Sequence, residues 1–207
     1  MTMKIIDKNN LIDKINQNLG DNPIVLELGC GKRKKYNDSI GIDIITYESV
    51  DIIGDVFDVL ASISDSTVNK ITSSHFFEHI NDVGLLMSEI ERILKSDGIL
   101  DVTVPHFSNS YFYSDVTHKT FFGLYSFCYF SENSYFKRLT PNYIKPQFKL
   151  ISVNIIFKSS PPFYFRHIIR KFFGLIFNSC NYLKEYYEEN ICKIISCYEI
   201  NYTLKRK

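Results

Sequence analysis

The stretch VLELGCG, Val25 to Gly31, places a carboxylate, Glu27, in a short apolar run and follows it with Gly-x-Gly. Glycines there let the backbone turn tightly and approach a ligand with no Cβ in the way. Two more carboxylates follow similar runs, Asp43 in GIDI and Asp55 in GDVFD. At the end of a parallel strand, Asp43 can accept both hydroxyl protons of a ribose, and Asp55 can accept from an adenine amino group. Three acidic residues on three successive strands define a nucleoside pocket at the carboxyl edge of a sheet. The composite is far more specific than Gly-x-Gly alone.

A second group of reactive side chains begins in SSHFFEHI, where His75-x-x-Glu78-His79 has the spacing of an inverted zinc-peptidase motif. That chemistry needs both imidazoles on one helical face. Here VNKITSS reads as a buried strand running into His75, and an amphipathic helix begins only near Ile80 to Val83. The two rings therefore straddle a strand-to-helix turn, and no metal is expected. Glu78 and His79 become candidates for an acceptor pocket. Beyond the next strand, VPHFSNSYFYSDVTHKTFFG supplies His106, Tyr111, Tyr113, Asp115 and His118 in a loop suited to a lid. His118 with Asp115 is the first candidate for a base and its orienting partner, and His106 the second. The competing role for each histidine is to close hydrogen bonds under an aromatic cover.

The elements that must hold these groups alternate between strand and helix. NNLIDKINQNLG has Leu11, Ile15 and Leu19 at helical spacing and ends in Gly20. PIVLELG reads as a short strand buried on both faces, and SIGIDII, SVDIIGD, VNKITSSH and ILDVTVP as further short strands. DVGLLMSEIERILKSDG is an amphipathic helix with Leu86, Ile90 and Leu94 on one face and a stop at Asp97-Gly98. Only a very short helix, or none, fits between SIGIDII and SVDIIGD. The order predicts a parallel sheet with crossovers. FKLISVNIIFKSS and SCYEINYTLKRK alternate apolar and polar residues and can pair as an antiparallel edge. Between them, about residues 161–190, lies an aromatic-rich helical insertion within a single domain spanning 1–207.

Bulk properties narrow the class. The chain has 207 residues, 45% hydrophobic and 23% charged, with net charge +1, so nothing global favours nucleic acid. The start carries no apolar signal region, and no apolar run reaches the roughly 18 residues of a membrane span. Five scattered cysteines without Cys-x-x-Cys read as reduced thiols in the cytoplasm.

From Val25 to about Phe130 the chain resembles the class I S-adenosylmethionine-dependent methyltransferases of the small-molecule type. The matching segments are VLELGCG, GIDI, GDVFD, SSHFFEHI, EIERILKSDGILDVTVP and SDVTHKTFFG. The resemblance implies a Rossmann-like α/β fold: a seven-stranded, mostly parallel sheet with an antiparallel last strand and helices on both faces. It implies S-adenosylmethionine as cofactor, with Gly29, Cys30 and Gly31 on the methionine side and Asp43 with Ile44 at the ribose. Asp55 and Val56 then meet the adenine, Glu27 lies near the amino group, and Ser74 and His75 close the pocket. It also implies a small acceptor handled by Glu78, His79, Tyr111 and Tyr113, a sugar or a precursor of surface polysaccharide.

Two departures favour a methyl donor over a nicotinamide dinucleotide. The usual third glycine is replaced by the basic run Lys32 to Lys35, read as the solvated surface of a shortened helix. Asp43 also arrives sooner than the roughly 20 residues common in dinucleotide binders. An oxidoreductase is thus the weaker alternative, and a cofactor-binding regulatory protein without turnover is another. Ile168, Ile169, Phe172, Phe173, Ile176 and Phe177 form an apolar face beside Arg166, Arg170 and Lys171. Residues 163–187 are therefore a candidate contact with the protein's own domain, a second subunit, or the inner face of the membrane.

Overall fold

The computed structural model describes residues 4–17, 22–132, 135–138, 140–141 and 147–207. Eight strands form one sheet: β1 (Ile6–Asp7), β2 (Val25–Leu28), β3 (Ile40–Asp43), β4 (Ile52–Ile53), β5 (Val68–Ser74), β6 (Leu94–Pro105), β7 (Phe148–Ile156) and β8 (Glu199–Arg206). Their spatial order is β1-β4-β3-β2-β5-β6-β8-β7. β2 pairs in parallel with β3 and β5, β3 pairs in parallel with β4, and β1 is antiparallel to β4. The architecture is Rossmann-like, mostly parallel with antiparallel end strands. β8 and β7 are hydrogen-bonded neighbours at this end of the sheet, as expected, with β8 inserted between β6 and β7 and β7 at the edge.

The sheet has one strand more than the seven expected. The addition, β1, is two residues long and has no periodicity to detect. Its Asp7 also starts the first helix, α1 (Leu11–Asn16): the carboxylate accepts from the amides of Leu11 and Ile12, both at 2.8 Å. Leu19 and Gly20, the expected end of that helix, lie outside the described residues. The six-residue α2 (Val56–Ala61) was not expected; Asp55 caps it by accepting from the Phe57 amide at 2.9 Å. No helix separates β3 from β4. α3 (Val83–Ile93) stops before Asp97, because Leu94 is already extended and buried in β6. Asp97 instead takes left-handed backbone, φ 65°, inside that strand.

The chain divides into two compact units. The first comprises Met1–Phe76, Asp82–Val102 and Lys205–Lys207. Its core is aliphatic, with Leu26, Leu28, Ile42, Ile52, Leu60, Ile71, Leu86 and Ile90 buried. Arg92 ties α3 to the end of α2 by donating to the carbonyls of Leu60 and Ile63, each at 2.7 Å, while paired with Glu89 and Asp65.

The second unit comprises Phe77–Asn81 and Thr103–Leu204, and its core is aromatic. Phe77, Phe122, Phe127, Phe148, Tyr187 and Tyr202 are buried there, with Phe122 stacked on Phe127 at 5.8 Å. Between β7 and β8 lie α4 (Tyr164–Phe177), α5 (Asn181–Tyr186) and a π turn, Tyr187–Ile191. The expected apolar face of α4 splits in two. Phe173 and Phe177 pack toward Phe157 and Tyr187, whereas Ile168, Ile169, Phe172 and Ile176 are exposed.

Candidate active site

In the first unit, the carboxyl ends of β2, β3, β4 and β5 lie side by side, since Leu28 is in register with Ile42 and Ser73, and Asp43 with Ile53. The β2 end turns through Gly29 and Gly31, at φ 66° and 58°. A Cβ on Gly29 would sit 2.6 Å from the Phe76 side chain, so that position admits glycine only. A Cβ on Gly31 would meet nothing within 4 Å, so the space beside it is open.

Asp43 sets the loop. One carboxylate oxygen accepts from the Gly31 amide at 2.8 Å, and the other from the Ile45 amide at 2.9 Å. An ionised carboxylate offers about four lone-pair sites, so both oxygens keep capacity for a further donor such as a ribose hydroxyl. Ile44 follows, half exposed at 55%, and offers an apolar surface at the strand end. Asp55 uses one oxygen to cap α2, and Val56 behind it is buried. Ser74 is half-buried at the end of β5, while His75 is exposed with left-handed backbone, φ 55°.

The Glu27 and Cys30 side chains have structural partners of their own. The Glu27 carboxylate is buried and accepts from the amides of Lys35 and Tyr36 and from the Ser39 hydroxyl. It shapes the following loop. Those bonds, with Lys34 donating to the Ser39 carbonyl and paired with Asp51 at 2.9 Å, hold residues 32–39 in turns. The expected shortened helix is absent, and Lys34 is largely buried in its ion pair. No helix N-terminus therefore follows the glycine loop to face a pyrophosphate. The Cys30 side chain points inward onto Val50 and Ile53, and its Sγ lies 2.7 Å from where a Gly41 Cβ would be. Burial, with the carboxylates of Asp43, Glu27 and Asp51 nearby, pushes its thiol up to about 12. It is a packing group, not a nucleophile.

In the second unit, residues far apart in sequence meet around a 3-10 turn, Phe77–His79. His118 Nδ1 lies 2.9 Å from the Phe112 carbonyl, which only accepts, so Nδ1 carries the proton. Its Nε2 lies 3.6 Å from Asp115 and 4.0 Å from the buried Glu78. The Thr117 hydroxyl donates to Asp115 at 2.6 Å and accepts from His79 Nδ1 at 2.9 Å. Thr117, through its hydroxyl and then its amide, holds Asp115 below the usual carboxylate range, with His118 and His79 adding to the effect. The rings of His79 and His118 meet edge to face at 4.9 Å. Asp115, His118, Glu78 and His79 are thus brought together. Thr117, the bridge between them, was missed, although the Asp-x-Thr spacing of a local side-chain turn was visible.

His106 lies elsewhere in this unit. It is fully buried, with Nε2 3.1 Å from Glu188 on the π turn and Nδ1 accepting from the Ser108 amide. Both ring nitrogens are occupied, so His106 closes hydrogen bonds and is not free to act as a base. Tyr111 and Tyr113 are exposed, and the Tyr113 hydroxyl donates to the Phe107 carbonyl at 2.9 Å. A cleft of about 820 Å³ in the same unit is lined by Phe107, Tyr125, Arg138, Tyr182, Glu185 and Glu188, among others. No sequence signal links these residues, which come from four separate segments.

A family model described as a methyltransferase domain matches residues 5–139. No curated protein matches the chain. Among solved structures, the fold is shared with an S-adenosylmethionine-dependent methyltransferase of Archaeoglobus fulgidus, at TM-score 0.58 and 17% identity over 95% of this chain and 92% of that one. It is also shared with phosphoethanolamine N-methyltransferase 2 of Haemonchus contortus, solved with S-adenosylmethionine, at TM-score 0.50 and 14% identity. That match covers 96% of this chain and 52% of the other.

Proposed function

The chain belongs to the methyltransferase-domain family, and from that premise we propose that it moves a methyl group from S-adenosylmethionine to a hydroxyl of a small polar acceptor, a sugar or a surface-polysaccharide precursor. One observation carries the cofactor reading: Asp43 stands at the end of β3 with both oxygens oriented by backbone amides, beside the open Gly29–Gly31 turn. The donors fit a ribose and adenine without phosphate, because turns and not a helix follow the glycines.

The cofactor supplies an electrophilic methyl group on a sulfonium, open to in-line displacement. Asp43 holds the ribose hydroxyls, with Ile44 against the sugar. Asp55 and Val56 border the adenine, and Gly29 and Gly31 leave room for the methionine backbone. Cys30 contributes its backbone, and Ser74 and His75 border the pocket at the end of β5. In the second unit, the Asp115–His118 pair would take up the proton that the acceptor hydroxyl gives up on accepting the methyl group. Glu78 and His79 position the hydroxyl. The cleft bounded by Tyr125, Tyr182, Arg138 and Glu185 lies on the His106–Glu188 side of the unit and shares no lining residue with the group formed by Glu78, His79, Asp115 and His118.

Calorimetry with S-adenosylmethionine and with NAD tests the cofactor. We expect binding of the first alone, weakened about tenfold or more in Asp43→Ala by loss of the ribose acceptor. Binding of NAD, or unchanged affinity in Asp43→Ala, would overturn the assignment. Binding without transfer of labelled methyl to hydroxylated acceptors would favour a regulatory protein over an enzyme.

The same reading sets the protein in the cytoplasm against the inner membrane face, through α4. No helix among the described residues is long and apolar enough to cross a membrane. α4 does expose Tyr164, Phe165, Ile168, Phe172 and Leu175 along one face, with Arg166 and Lys171 beside them and no acidic residue from 161 to 184. Apolar and basic groups together suit an anionic lipid surface.

A further inference from the structure

In the second unit, a carboxylate oxygen of Glu78 and one ring nitrogen from each of His79 and His118 all lie within 4.8 Å of one another. We propose that these three residues form a binding site for a first-row divalent cation. Two imidazoles and one carboxylate are a donor set that such cations favour, and three protein ligands leave coordination positions open.

The hydrogen bonds around the cluster argue for a ligand set and not for chance proximity. His118 must carry its proton on Nδ1, since that atom faces the Phe112 carbonyl. In the neutral ring, Nε2 then presents a lone pair toward two carboxylates, Glu78 at 4.0 Å and Asp115 at 3.6 Å. A cation held by that nitrogen would lie close to both carboxylates. His79 is fixed in the same sense. The Thr117 hydrogen goes to Asp115, so the Thr117 oxygen accepts from His79 Nδ1 and leaves Nε2 as the basic nitrogen. Each imidazole has one nitrogen tethered and the other available, as in metal-ligating histidines with outer-shell partners.

The site differs from the zinc motif first suggested by the sequence. His75 of the His-x-x-Glu-His string is exposed on left-handed backbone and takes no part. Its place is taken by His118, from the loop after β6. The binding site stands on this geometry alone. Its use rests on the methyltransferase reading: with the cation on His118 Nε2, the Asp115 member of the pair alone takes the proton of the polarised acceptor hydroxyl.

The test is a cobalt(II) titration of the whole, chelator-treated protein, followed by visible absorption. About one cobalt ion per chain should bind with stronger absorption than the hydrated ion gives. His118→Ala and His79→Ala should abolish that signal, Thr117→Ala should weaken affinity about tenfold through the lost tether, and His75→Ala should leave cobalt affinity unchanged. A wild-type titration that shows only the hydrated ion overturns the site. Full affinity in folded His118→Ala overturns it as well. If the histidine variants do not fold, the wild-type and Thr117→Ala titrations decide. S-adenosylmethionine calorimetry on the same samples separates the two readings: cobalt bound without the cofactor sinks the methyltransferase and keeps the site, and the reverse sinks only the site.

Discussion

At φ 66° and with Phe76 already 2.6 Å from where its Cβ would lie, Gly29 meets two separate obstacles to a side chain, one in its own backbone and one in a neighbour. Gly31 meets only the first, at φ 58°. Gly29→Ala should therefore cost about 2–3 kcal/mol and Gly31→Ala about 1 kcal/mol, read from urea unfolding. Equal losses would show that Phe76 moves aside without cost. Gly31→Ala should still weaken S-adenosylmethionine, because its methyl group enters the open space beside the loop. The Gly-x-Gly turn and Asp43 were legible because local spacing encodes both. The role of Glu27 was not, since its three partners are set by how the chain folds back after residue 31. Nothing in the sequence joined His79 to His118 either, because their meeting depends on a loop that returns across the end of another strand.

For the elements, legibility followed length and pattern. β2 was found from its continuous apolar run, β3, β5 and β6 from short apolar-rich stretches, and α3 from the stripe Leu86, Ile90 and Leu94. β1 and α2 were missed, having two and six residues, too few to show a period. α4 was found but its surroundings were not. Its pattern records an apolar surface on more than one side, and only the structure separates the side that packs from the side left open. Phe165 and Leu175 are 77% and 76% exposed. The wild-type protein should float with vesicles containing anionic lipid and float less with purely zwitterionic ones. The double variant Phe165→Ser/Phe172→Ser should stay in the dense fraction. A protein that elutes as a dimer and never floats would assign the stripe to a second subunit instead.

Across the whole molecule, both units hold buried neutral thiols. Cys30 in the first unit and Cys128 in the second are each pushed up to about 12, chiefly by burial and then by nearby carboxylates. Burial raises Cys197 in the same direction. In the unfolded chain these thiols ionise near their ordinary value of 9.0, while the folded chain keeps them protonated. The stabilisation is complete below that value and is lost as pH climbs from there toward about 12. Thermal midpoints should accordingly fall steadily above about pH 9, and Cys30→Ser should flatten the slope. A flat profile would mean that the thiols reach solvent without unfolding. The alternation of strand and helix was readable at this scale. The insertion of β8 between β6 and β7 was not, since strand order across a sheet leaves no trace in local pattern. That insertion carries Lys205–Lys207 back to the first unit, where Arg206 pairs with Glu91 at 3.1 Å, donates to the Ser66 hydroxyl and reaches the Leu94 carbonyl. On the ribosome, the unit begun first is consequently the one finished last. Its closing contacts can form only after every residue of the other unit has been translated, so the nascent chain must carry an incomplete first unit through most of its synthesis.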